Sequence, residues 1–161
     1  MSQDPTVDFP STEESRSRAR RPRVLLHAVT AFLALVGLAD ATYLTIEHLT
    51  GQSVRCTLIA GCSEVLSSPY ATMRGIPLAL VGAAAYFTVF SLATLAAFGY
   101  RGTGPLLTAV VAIMFAVTLW LVYLQAFVIR AFCQYCLFSA AITILLTVIT
   151  LIGWRRERRK L

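Results

Sequence analysis

Four apolar stretches, each about as long as a bilayer core is thick when wound into a helix, constrain this chain more than any other feature. They occupy residues 24–46, 77–98, 105–129 and 135–154. A hydrocarbon layer of about 30 Å takes roughly 20 helical residues to cross. Inside it a segment must satisfy its own backbone N–H and C=O groups. The expected fold is therefore an all-α integral membrane protein, a four-transmembrane-helix bundle. Composition agrees: 57% of residues are hydrophobic and mean hydropathy is +0.71, beyond what a water-covered domain carries. Pro77 and Pro105 open the second and third stretches, where a missing N–H does no harm, and Gly99 follows the second.

The net charge of +6 could suit nucleic acid, but its distribution excludes that class. Arg16, Arg18, Arg20, Arg21 and Arg23 precede the first stretch. Arg155, Arg156, Arg158, Arg159 and Lys160 follow the fourth, and Arg101 lies between the second and third. With four spans these segments share one side, and the other side holds Arg55, Arg74 and Arg130. Positive charge marks the cytoplasmic side. Both termini are thus expected in the cytoplasm, and the loop at 47–76 and the turn at 130–134 outside. The terminal basic runs also suit anionic lipid.

Residues 1–23 lack apolar periodicity and are expected to be a disordered basic tail, with a second basic tail at 155–161. Ala39-Asp40-Ala41 has the small residues of a signal-cleavage site. The first apolar run is longer than a signal core and continues past it, so the span is expected to be retained. The loop at 47–76 is long for a compact helical protein, which points to function. Residues 63–73 contain enough helix formers for a short helix, interrupted at Ser67-Ser68-Pro69.

All four cysteines fall in the outer segments: Cys56 and Cys62 in the loop, Cys133 and Cys136 where the fourth span begins. That side of a membrane is oxidising. Residues i and i+3 of a helix share a face, and a helix N-terminus favours a thiolate, the reactive form. Cys133-Gln134-Tyr135-Cys136 therefore reads as a redox pair whose acceptor is a lipid-soluble molecule between the helices. Two structural disulfides are the bland alternative, although so small a ring closes little chain entropy. A four-cysteine zinc site fits less well, since the loop spacing exceeds the usual ligand spacing; no metal is expected.

The segment Cys62-Ser63-Glu64-Val65-Leu66-Ser67-Ser68-Pro69-Tyr70-Ala71, followed by Gly75-Ile76-Pro77-Leu78-Ala79 and Gly82, resembles the bacterial branch of the vitamin K epoxide reductase family. So does Tyr123-Leu124-Gln125 leading into Phe132-Cys133-Gln134-Tyr135-Cys136-Leu137-Phe138-Ser139-Ala140. The resemblance covers about residues 24–153. It implies a four-helix catalytic domain around a quinone of the menaquinone, ubiquinone or phylloquinone class, closed outside by a loop with a short helix. It implies electron flow from a reduced thioredoxin-fold, DsbA-like partner to Cys56 and Cys62, then to Cys133 and Cys136, then to the quinone. Cys136 would lie beside the quinone ring and Cys133 would exchange with a loop cysteine, which of the two being open. Ser68 matches the family's serine near the quinone.

The implied protein is a membrane thiol oxidoreductase of the bacterial inner membrane. Two departures point away from epoxide chemistry. The vertebrate tyrosine four residues past the CxxC is Ala140 here, and the second span has no asparagine. A fused thioredoxin-like domain is not expected, so the partner would be a separate protein. The DsbB family has the opposite order, CxxC first. A non-catalytic scaffold remains the alternative from another class.

Asp40 lies well inside the first span, where an ionisable group is costly and so suspected of function. It could serve the quinone or be satisfied by nearby Thr and Tyr side chains. Tyr123 and Tyr135 are candidates for quinone binding, and Tyr43, Tyr86, Trp120 and Phe127 could join them or be ordinary packing and interface aromatics. His27 and His48 read as structural.

Overall fold

The computed structural model describes residues 12–51, 61–73, 75–100 and 102–158 and, within them, the side chains of 24–155 other than Met73. Cys56 lies outside the described residues, as do Arg55, Arg74 and Arg101 of the charge pattern, residues 1–11 of the first tail and 159–161 of the second.

Among the described residues five α-helices follow in order: α1 (Thr12–Thr50), the short α2 (Cys62–Leu66), α3 (Leu78–Ala97), α4 (Thr103–Tyr123) and α5 (Gln134–Arg158). Four of them contain segments long and apolar enough to cross a membrane, Val24–Thr50, Leu78–Ala97, Thr103–Ile129 and Gln134–Arg155. The fold is the expected four-helix membrane bundle. The first helix starts earlier than the expected tail boundary at residue 23, because Glu, Arg and Ala in 12–23 are good helix formers even without an apolar face. Likewise α5 continues through Arg158 into the second expected tail.

The bundle closes around small residues. In lipid no hydrophobic force drives helices together, so close packing must hold them. Ala34, Gly37 and Ala41 of α1 face Ala83, Tyr86 and Val89 of α3, with Val111 of α4 and Leu146 of α5 completing the core. A Cβ at Gly37 would lie 2.6 Å from Tyr86 Cζ, so the ring occupies the space a side chain would need. The Tyr86 hydroxyl donates to the Ser139 carbonyl at 3.0 Å and lies 2.8 Å from Ser139 Oγ and 3.1 Å from Thr143 Oγ1, tying α3 to α5. Large side chains such as Phe32, Phe87 and Ile113 stay exposed on the outside, as lipid-facing positions should. Threonines inside the spans donate to the carbonyl four residues back, as Thr45 does to Ala41 at 2.7 Å, which removes a hydroxyl from hydrocarbon.

The outer end is irregular. After α2 a 3-10 turn covers Pro69–Ala71, and Thr72–Met73 pairs antiparallel with Ile76–Pro77 across Gly75 at φ 84. This small ladder was not expected; glycine supplies the left-handed turn that it needs. At the other end Gly99 and Gly102, at φ 88 and 92, turn α3 into α4.

Candidate active site

The turn before α5 sets the position of the CxxC pair. Past Tyr123 the fourth helix widens into a π-helix at Leu124–Ile129, which shifts the face that each following residue presents. It stops at Arg130, the one non-glycine residue among those described with positive φ, at φ 56 and ψ 29. A left-handed residue with a side chain is uncommon and unfavourable, and here it reverses the chain. Residues 131–133 then lead into α5.

Cys133 immediately precedes α5, and its carbonyl accepts the Leu137 N–H at 3.0 Å, the first bond of the helix. Cys136 lies one turn on. Both are free thiols. The Cys136 thiol donates to Cys133 Sγ and lowers the Cys133 thiol to about 7. The N–H groups of Cys136 and Tyr135 at the helix start help, while burial and the charge of Asp40 oppose.

The two cysteines face different surroundings. Cys133 is 0% exposed and belongs to a buried cluster with Leu44, Cys62, Val65 and Ala131. Sequence analysis expected the pair at the outer surface; instead Cys133 is covered by the loop. Cys62 is disulfide-bonded and opens α2 within that same cluster. The contact depends on Gly61. A Cβ there would lie 2.7 Å from the Phe132 carbonyl oxygen and 3.1 Å from the Phe132 nitrogen. Two backbones meet at this point, and only glycine lets them.

Cys136 instead lines a largely apolar cleft between α1, α3, α4 and α5 under the loop, with about 960 Å³ of free space, part of it open. Mainly apolar walls with a few convergent polar groups are the character of a small-molecule site. Asp40, Ser68 and Gln125 also line it. Asp40 Oδ2 is buried without a hydrogen-bond partner among the described residues. Nearby Thr42 and Thr45 donate to Leu38 and Ala41 of their own helix, so they do not satisfy it. The Ser68 hydroxyl donates to Val65 O at 2.7 Å. The turn role and the pocket position thus coexist in one serine.

The structure does not bring Tyr123 and Tyr135 to the cleft lining. Tyr123 is exposed and its ring packs on Phe127 at 4.9 Å, on the outer face shared by residues four apart. Tyr135 pairs with Tyr43 at 5.4 Å, outside the lining. Trp120 is exposed and Tyr86 serves packing. Polar lining residues that were missed include His48, Ser139 and Gln125. Gln125 had a visible signal, a carboxamide inside an apolar span; the other two had none that separates them from ordinary helix residues.

Four membrane helices that set one thiol of a CxxC pair on an apolar cleft, beside a carboxyl oxygen unpartnered among the described residues, define a multi-pass membrane redox protein. The sequence matches the model of the vitamin K epoxide reductase family over residues 28–151, most of its length, and the chain belongs to that family. It is accordingly a membrane oxidoreductase of the class that acts on thiols and quinones.

Proposed function

We propose that this protein is a quinone-dependent thiol–disulfide oxidoreductase that oxidises a separate thioredoxin-fold partner and so supports disulfide formation outside the cytoplasm. In this reading both termini lie in the cytoplasm of a bacterial cell and the cysteines face the opposite side. One observation carries the reading. Cys133 shares a buried cluster with Cys62 while Cys136, hydrogen-bonded to it, lines the cleft. A pair that shares a buried cluster with a loop cysteine and also reaches the cleft is suited to pass electrons between them.

The relay balances at each step. A dithiol of the partner reduces the loop disulfide of Cys56 and Cys62 and becomes a disulfide. Cys62, the loop cysteine packed with Cys133, exchanges with it, leaving Cys56 to meet the partner. The Cys133–Cys136 disulfide is reduced to two thiols as the loop pair is reoxidised. Each exchange is attack by a thiolate on a disulfide sulfur, which the lowered Cys133 thiol favours. The quinone accepts two electrons and two protons from the Cys133–Cys136 dithiol, whose disulfide reforms.

The cleft suits a quinone: its walls are mainly apolar, Ser68 offers a hydroxyl, and Asp40 Oδ2 has an open hydrogen-bonding position. Asp40 holds or passes a proton at that oxygen, and the surrounding side chains exclude water. Ala140 lines the cleft where vertebrate relatives carry a tyrosine, which favours plain quinone reduction over epoxide chemistry. The free thiols of Cys133 and Cys136 favour a cycling pair over a permanent staple.

The test supplies reduced thioredoxin-fold protein and a soluble quinone to the purified protein in detergent. Coupled loss of partner thiols and formation of quinol is the expected result, abolished by Cys136→Ala. Equal turnover by the variant would end the proposal.

A further inference from the structure

We propose that Ser139 is a hydrogen-bond donor to a carbonyl oxygen of the ligand in the cleft, held ready for that role by the hydroxyls of Tyr86 and Thr143. The inference rests on the quinone reading of the cleft and adds a residue to it.

Hydroxyls inside these spans are mostly spent on their own helix. Thr45, Ser91 and Thr147 each donate to the carbonyl four residues back, at 2.7, 2.9 and 2.8 Å. In the loop, the Ser68 hydroxyl is spent on Val65 O, which leaves it an acceptor toward the cleft. Ser139 differs. It is half-buried, lines the cleft with Cys136 and Ala140, and its Oγ lies 2.8 Å from the Tyr86 hydroxyl of another helix.

A count of protons shows what that arrangement permits. Tyr86, Ser139 and Thr143 bring three hydroxyl protons to a group whose one carbonyl is Ser139 O. That carbonyl lies 3.0 Å from both Tyr86 Oη and Thr143 Oγ1. With no acceptor in the cleft, Ser139 donates to Tyr86 and Tyr86 donates to Ser139 O. With an acceptor there, the Ser139 proton turns to it, Tyr86 donates to Ser139 Oγ, and Thr143 keeps Ser139 O occupied. Only hydroxyl hydrogens rotate. No buried donor loses its acceptor and the carbonyl keeps a donor, so the ligand gains a bond at little cost to the protein.

Two features hold the group in place. The Tyr86 ring fills the space that a side chain at Gly37 would need, which fixes the position of its hydroxyl. Tyr86 is also 1% exposed, which keeps bulk water away. A quinone oxygen gains negative charge as it is reduced, and a donor backed by a second hydroxyl holds that charge more strongly than the neutral carbonyl. Asp40 holds or passes a proton, whereas Ser139 gives none up.

The test compares two ligands of one shape: dimethylnaphthoquinone, whose methyls block thiol addition, and dimethylnaphthalene, which lacks the carbonyl oxygens. Binding to the full chain in detergent is measured with Cys133–Cys136 oxidised, so that no quinone is consumed, and corrected for empty micelles. Ser139→Ala is expected to weaken quinone binding about fivefold to tenfold, the order of one hydrogen bond, and naphthalene binding by less than about twofold. A merely structural serine would weaken both ligands alike. Tyr86→Phe leaves the Ser139 hydroxyl to turn onto its own helix and is expected to lower the preference for quinone by a smaller factor. Ser139→Thr, which keeps the hydroxyl, is expected to keep the preference. A hydrogen bond lowers the carbonyl stretch of a quinone, so infrared spectra of the wild type are expected to show a lowered band that Ser139→Ala loses.

Equal loss for both ligands, or no loss, in Ser139→Ala would overturn the proposal. Should that variant not fold, an unchanged preference in Tyr86→Phe would do the same. Wild-type protein that binds no quinone would overturn this assignment together with the functional reading. Wild-type protein that shows the preference yet oxidises no partner thiols would sink the functional reading and leave the donor standing.

Discussion

Cys133 and Cys136 are three residues apart, hydrogen-bonded and packed on one cluster, yet only Cys136 reaches the cleft. Cys133 is sealed beneath the loop among Leu44, Val65, Ala131 and Cys62. Cys136 belongs to the cleft wall with Asp40 and Ser68. One helical turn thus separates a protein-facing thiol from a cleft-facing one. The difference teaches that the pair need not move as a unit to change partners. In the proposed relay each sulfur faces the group with which it exchanges, and a disulfide formed between the two free thiols would link them.

Breaking the cleft side should have the largest effect. Cys136→Ala is expected to reduce quinone turnover to the uncatalysed background while leaving Cys133 able to form a mixed disulfide with Cys62, seen as a crosslinked species after trypsin digestion. Asp40→Asn is next. Quinone reduction is expected to fall about a hundredfold, the lower range for a positioned proton donor or acceptor, with partner-to-loop exchange unchanged in stopped-flow assays. A protein with unaltered quinone turnover would remove Asp40 from the chemistry.

Breaking the loop side should cost less and leave the cleft intact. Gly61→Ala pushes a methyl into the Phe132 backbone, an overpacking of about 1–3 kcal/mol. Loop-to-Cys133 exchange is expected to slow roughly tenfold, with quinone reduction by a chemically reduced Cys133–Cys136 pair unaffected. The smallest effect concerns pH. Cys133 is lowered to about 7 chiefly by the Cys136 thiol, so its thiolate is depleted below that pH and formed above it. Its attack on a small disulfide should rise through about 7 in the wild type. Removing the Cys136 thiol in Cys136→Ala should move that midpoint upward, since the largest lowering contribution is gone.

The four spans were legible because membrane thickness converts directly into sequence length, and the cysteines because their number and spacing are visible without a structure. The joints between them were not. The segment Leu124-Gln125-Ala126-Phe127-Val128-Ile129 reads as ordinary helix, and nothing in it announces a π-turn or that Arg130 will adopt a left-handed conformation. Those choices follow from packing α5 back against α4, which no local propensity contains. Gln125 was visible as a polar residue in an apolar span, but its direction depended on that turn. Tyr123 shows the converse: the aromatic label suggested a pocket, and its helix face put it outside. Gly61 gives no sign in the sequence of its role, which is to occupy no space against the Phe132 backbone.

That last feature has a consequence for how such a chain can drift. Because the loop and the turn before α5 meet backbone to backbone at Gly61 and Phe132, their fit is blind to most side chains around it. Phe132 can exchange its ring for another group without altering the seam, and so can the neighbours of Gly61 that point elsewhere. Position 61 has no such latitude. A single hydrogen in place of a side chain keeps the loop seated on the turn that carries Cys133, and the rest of the loop is left free to be reshaped.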